Sequence, residues 1–204
     1  MSSLPAVAGQ RLIKALRKIG FEVIRKKGTI SPKLSGKSLR KKGSQYMETE
    51  RLPQEVHIEL GLIEELITSH ELLIKKVDQD PPDAIEKSAC AALLHSFYNG
   101  IEKIFVQIGK RVDGKLPSTP YWHQELINAM AQKTGNRDHV ISPELQEKLI
   151  PYLGFRHFFR HAYTFQFKWE KMRGLIAELN EVYTDFKKEI CIFVDSISGP
   201  CDGN

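Results

Sequence analysis

Cysteine is almost missing from this chain: Cys90, Cys191 and Cys201 are the three among 204 residues, far apart and without a Cys-x-x-Cys spacing. That excludes a disulfide framework and the usual ligand arithmetic of a structural zinc site. No run of 18 apolar residues occurs, so nothing reads as a membrane-spanning helix. The opening Met-Ser-Ser-Leu-Pro lacks the apolar core of a secretory leader, and a cytoplasmic protein is expected. Acidic residues are scarce at the start as well. Residues 1–44 hold Glu22 against twelve Lys and Arg, a charge of +11; the whole chain has a formal net charge of +5, so residues 45–204 carry the difference, −6. The result is an acidic body with a basic arm.

What is present is the stock of a soluble globular domain, 41% hydrophobic and 27% charged. The sequence divides into a basic extension over 1–48, a helical domain over 49–198 and a tail over 199–204. Within the extension, Leu12, Ile13, Leu16 and Ile19 recur at helical spacing before Gly20, and Phe21 to Arg25 reads as a short strand. From Gly28 to Gln45 the composition turns to Ser, Gly, Lys and Pro, from which no core can be built. That segment reads as a solvated linker, with Lys37 to Lys42 available to RNA phosphates.

Five amphipathic helices are expected in the domain. The first runs from about Pro53 to Lys76 on Val56, Leu60, Ile63, Leu66, Ile67 and Leu72 to Ile74. The second begins with Pro82 near its first position and continues to about Val112 through Ala91, Leu93, Leu94, Phe97, Ile101, Ile104, Phe105 and Ile108, with Cys90 as a small core residue. The third covers about Tyr121 to Lys133. The fourth starts at Ser142-Pro143 as cap and first residue, and Pro151 and Gly154 are expected to kink it. The last spans about Trp169 to Ser196. Short connections between such helices make an all-α up-and-down bundle.

Tyr152 to Phe167, Tyr-Leu-Gly-Phe-Arg-His-Phe-Phe-Arg-His-Ala-Tyr-Thr-Phe-Gln-Phe, stands apart. At about 100° per residue, and with Arg156 at zero, Tyr163, Arg160, His157 and His161 fall between about −20° and 140°. Phe155, Phe158, Phe159 and Ala162 collect on the opposite arc, which is read as the core side. Two guanidinia side by side repel each other and depress neighbouring imidazolium unless an anion joins them, and the natural anion is phosphate. Imidazole can take or give a proton near neutral pH, and guanidinium grips phosphate oxygens. Arginine and histidine on one face are a sufficient kit for metal-free RNA cleavage.

Arg156, the polar His157 after it, His161 and Tyr163 resemble the R-x4-H-x-Y signature of HEPN ribonucleases, in particular the HepT toxins paired with MNT-type minimal nucleotidyltransferases. His95-Ser-Phe-Tyr98-Asn99-Gly-Ile-Glu102, Asp113-Gly-Lys-Leu-Pro117 and Trp122-His123 are similar to the same bacterial branch, and the resemblance covers about residues 50–198. It implies a HEPN-type bundle in which Arg156 and His161 are catalytic, His157 and Arg160 support them, and Tyr163 accepts AMP from the partner nucleotidyltransferase. That partner would use ATP and Mg; cleavage itself would need no cofactor and no metal. A homodimer is implied too, bringing two motif helices and two copies of His161 to one phosphate, where a 2′-hydroxyl attacks and leaves a 2′,3′-cyclic phosphate. The helix-Gly-Phe-strand opening resembles HicA, over roughly 28 residues that lack the Gly-Ser-His expected there.

His95, Tyr98, Asn99 and Glu102 share one face of the second helix. They either orient the Arg/His helix, with His95, Asn99 and Glu102 behind it, or serve plain helix packing. Trp122 and His123 read as a cap on the end of the bundle, and His57, His70 and His139 have no assigned role. Two other functions stay open: a catalytically silent helical partner, or antitoxin, that regulates a nucleotidyltransferase, and an RNA-binding adaptor that works through its basic arm.

Overall fold

The computed structural model describes residues 51–135, 137–163 and 166–198. The HicA-like opening, the linker and the tail after residue 198 lie outside the described residues. Those described form six α-helices and no strand, an all-α bundle: α1 (Leu52–Ser69), α2 (Glu71–Gln79), α3 (Ala84–Arg111), α4 (Trp122–Met130), α5 (Pro143–His161) and α6 (Trp169–Ser198).

α3 is the axis of the bundle and packs against every other helix. Its buried residues, from Cys90, Ala91, Leu93 and Leu94 through Phe97, Tyr98 and Ile101 to Ile104, Phe105 and Ile108, point to all sides, as in a helix that is apolar all round. Asp83 starts it with a capping box: its side chain accepts from the Glu86 N–H at 2.8 Å, while the Glu86 carboxylate accepts from the Asp83 N–H at 3.0 Å. The helix therefore starts at Ala84 with Asp83 as its cap, two residues beyond the start expected at Pro82. Gly100 lets α1 close in, since a Cβ there would stand 2.6 Å from Ile63 Cγ1.

The long first helix is two. α1 stops at Ser69, where the hydroxyl donates to the Leu66 carbonyl at 2.8 Å and His70 Nδ1 lies 2.9 Å from the same oxygen. Side chains that occupy a helical carbonyl compete with the backbone ladder. α2 then sets off anew, burying Val77 and leaving Leu72, expected in the core, 84% exposed. α4 is shorter than expected and ends at Met130.

α5 runs without a break through Pro151. Ser142 caps it by accepting from the Leu145 N–H at 3.1 Å, with Pro143 at the first helical position as expected. The same serine donates through its N–H and hydroxyl to Glu189 on α6, at 2.6 and 2.8 Å. Two connectors are clasped by Arg137, whose side chain is 1% exposed and donates to both carboxylate oxygens of Asp113, at 2.8 and 2.9 Å. It also donates to the carbonyls of Ala129, Gln132 and Asp138. This arginine, unremarked in the sequence, ties the loop after α3 to the loop after α4. No helix among the described residues is long and apolar enough to cross a membrane.

Candidate active site

Arg156 does not lie on an exposed arc; it is buried, 7% exposed, at the centre of a polar network between α3, α4 and α5. Its guanidinium points each nitrogen at a different partner. Nε donates to Asn99 Oδ1 at 3.0 Å, Nη2 to Glu102 Oε1 at 2.9 Å and Nη1 to His123 Nε2 at 3.2 Å. The second oxygen of Glu102 accepts from His123 Nδ1 at 2.5 Å. Glu102 is buried as well, so one carboxylate answers both an arginine and an imidazole.

The reason lies upstream on α5. Placed on the same wheel, Leu145, Leu149, Tyr152 and Leu153 fall within about 60° of Arg156, and all four are buried. The core stripe of the whole helix thus runs beneath Arg156. Placing the core from Phe155 to Tyr163 alone rotates it by about a third of a turn or more. Phe158, expected inside, is 43% exposed, while Phe155 is buried and Phe159 is partly so.

Because a guanidinium only donates, the network assigns protons. His123 accepts at Nε2, so it is neutral and carries its proton on Nδ1, directed at Glu102. Asn99 must present its oxygen to Arg156, so its amide nitrogen donates to His95 Nε2 at 2.9 Å. His95 then carries its proton on Nδ1, a buried atom without a hydrogen-bond partner, while its ring stacks on Phe159 at 4.4 Å. Burial, aided by the charges of Arg156 and Arg160, pushes His123 down to about 4 and lowers His95 too. Burial pushes the Glu102 carboxyl up against the opposing pull of Arg156. With a donor on each oxygen, Glu102 is read as ionised at neutral pH.

Around this interior sits an exposed rim. His157, Arg160 and His161 are exposed on the last two turns of α5. The ring of His157 meets His123 edge-on at 5.2 Å, and the ring of Trp122 lies 3.6 Å from that of His123, centroid to centroid. Burial, then His123 and Arg156, lower the pKa of His157. Of the pair expected as a cap, His123 thus meets His157, with Trp122 packed on His123.

The helix ends at His161, for Ala162 is extended at ψ 145°. Tyr163 therefore leaves the helical wheel; it is 71% exposed and opens a turn in which its N–H donates to Gln166 Oε1 at 3.0 Å and its carbonyl accepts from the Gln166 N–H at 2.9 Å. Of the residues singled out in the sequence, the structure joins Arg156, Asn99, Glu102 and His95 in one network. His157, Arg160, His161 and Tyr163 stand outside it.

The family described as HepT-like protein matches residues 89–197, more than half of the chain and every residue of the network and its rim. The chain belongs to the HepT-like family. No curated protein and no solved structure matches it. HepT-like membership sets the chain in the HEPN-type toxin–antitoxin context and among proteins generally associated with ribonucleases. In HepT-like terms, the resemblance read from Arg156, His161 and Tyr163 is a true kinship over 89–197. The match does not reach the HicA-like opening.

Proposed function

We propose that this protein is the toxin of a HEPN/MNT pair: a metal-independent endoribonuclease that cuts RNA by 2′-hydroxyl attack and is silenced when a partner nucleotidyltransferase places AMP on Tyr163. The observation that carries the reading is the exposed group at the end of α5, His157, Arg160 and His161, with Tyr163 two residues beyond. Arg160 would hold the phosphate, and imidazole supplies proton transfer. Arg156, held inside, would act through the shape it imposes on α3, α4 and α5 rather than by gripping the substrate. Adenylyl phosphate on Tyr163 would bring bulk and negative charge to the mouth of the same rim.

Induced expression tests this. Wild type arrests growth and releases RNA ends bearing 2′,3′-cyclic phosphate, whereas His161→Ala does neither; equal toxicity of the two removes the ribonuclease reading. Co-expression with the partner nucleotidyltransferase and ATP adds AMP-sized mass that Tyr163→Phe lacks. The burial of Arg156 also favours a second reading, a catalytically silent partner of the nucleotidyltransferase, because it withdraws one charge of the motif from the surface. A folded wild type that binds that partner tightly and cuts no RNA would select it.

A further inference from the structure

The geometry points to the cleft between α5 and α6 as a slot for one unpaired nucleotide of the RNA, its base stacked on Phe158 and its phosphates held by Lys168 and Lys171. This rests on the ribonuclease reading above. The cleft has a volume of about 300 Å³ and an apolar lining of Pro151, Phe155, Met172 and Leu175. That is the small end of ligand sites, about 300–1,000 Å³, with room for a flat ring and not for a partner's helix.

The slot adjoins the rim. Gly154, Phe158 and His161 recur at i, i+4 and i+7 on α5 and so share one stripe. Phe158 and His161, three apart, are neighbours on the helix surface, with Cβ atoms about 5–6 Å apart. A nucleotide seated against Phe158 therefore brings the next phosphate of its chain beside His161.

Phe158 is a prepared platform. Phe155 and Phe167 pack on it at 6.3 and 6.0 Å, the second edge-on, which fixes the ring. Yet 43% of the residue stays exposed. Gly154 keeps the slot clear, because a Cβ there would meet nothing within 4 Å. An aromatic face left in water beside open volume offers stacking to any base.

Charge selects the occupant. The charged residues lining the slot are Lys168 and Lys171, both exposed, and neither pairs with a carboxylate among the described residues. Lys168 stands just before α6 and Lys171 in its first turn, where the positive end of the helix disfavours cations. Glu170 shares that turn but does not line the slot. An anion between the two ammonium groups offsets their repulsion, and an aromatic ring joined to phosphate satisfies both halves of the lining.

The test uses the full-length protein and a short mixed-sequence RNA made with 2′-O-methyl sugars, which offers no hydroxyl for attack, so that affinity is read apart from cutting. Phe158→Leu keeps an apolar side chain and removes the ring; it should bind about 5- to 150-fold more weakly, the range of one lost base stack. Phe158→Trp should bind as wild type does. Gly154→Leu, which fills the slot from a position that touches no core atom, should weaken binding by a similar factor while its urea midpoint stays at or above the wild-type value. Lys168→Ala and Lys171→Ala should each flatten the slope of log affinity against log salt by about 0.7. Wild-type affinity in Phe158→Leu and Gly154→Leu would overturn the slot, and continued cutting of unmodified RNA would then leave the ribonuclease reading standing. If those two variants keep RNA but turn a dimer into monomers in sedimentation, or lose the partner nucleotidyltransferase, the occupant is a protein and the inference falls. Slot-dependent binding with no cyclic-phosphate ends from unmodified RNA would keep the slot and remove the ribonuclease reading.

Discussion

Replacing Arg156 by alanine should unfold much of what holds α5 to α3. The side chain is 8% exposed and its partner Glu102 is 11% exposed, so its loss strands a buried carboxylate and two acceptors, the half-buried Asn99 Oδ1 and the buried His123 Nε2. Removing one member of a buried ion pair costs about 3–5 kcal/mol, a large share of a total stability of about 5–15 kcal/mol. With a urea slope of about 2 kcal/mol per molar, the unfolding midpoint should fall by about 2 M. Arg156→Lys should lie between, because one ammonium cannot reach three partners set around a planar fork; two lost hydrogen bonds imply about 2–3 kcal/mol. The double variant Arg156→Met with Glu102→Gln should lose less than the sum of its two single changes, since neither leaves a lone charge. Urea unfolding followed by far-UV circular dichroism reads all five variants. An Arg156→Ala protein within about 0.5 kcal/mol of wild type, the range of ordinary surface substitutions, would mean that the guanidinium faces solvent, and the network described here would be wrong.

Acid should weaken the fold through His123. Its folded value near 4 lies below the ordinary 6.5, so the unfolded chain binds the extra proton and stability falls as pH drops from about 6.5 towards 4; a His123→Asn variant should show a flatter pH dependence of its urea midpoint over that window. Asp113→Ala should cost about 3–5 kcal/mol by leaving Arg137 buried without its carboxylate, visible in thermal melting, and a change below about 1 kcal/mol would refute the clasp. The helical glycines should behave oppositely: a Cβ on Gly154 meets nothing within 4 Å, whereas one on Gly100 meets Ile63 at 2.6 Å. Gly154→Ala should therefore gain up to about 1 kcal/mol and Gly100→Ala should lose about 1–3 kcal/mol, and melting temperatures moving in the same direction would contradict the packing.

Much of this architecture could be read from periodicity, because four of the five expected helices follow apolar spacing that packing then rewarded. The break at His70 could not, since it depends on Ser69 and His70 turning their side chains onto the Leu66 carbonyl, and the apolar letters run on across it. The site was legible in its letters and misread in its direction. Arg156, Asn99 and Glu102 were all in view, but a wheel drawn from Phe155 onward hid the stripe of Leu145, Leu149, Tyr152 and Leu153 that carries Arg156 inward. Trp122 and His123 needed the fold itself, for nothing local to α4 tells that its first turn comes to rest against His157. Arg137 and Asp113 are 24 residues apart in the chain, and no helical repeat links them.

The inward guanidinium changes how an alanine scan of this protein should be interpreted. An inactive Arg156→Ala variant would ordinarily be taken as proof of a missing chemical group, yet here it would just as readily report a collapsed scaffold, so silence at that position diagnoses nothing without a folding measurement beside it. The histidines on the rim carry no such ambiguity, because they can be cut back without leaving a hole or an orphaned charge. Mutational evidence for or against the proposed cleavage is best gathered there.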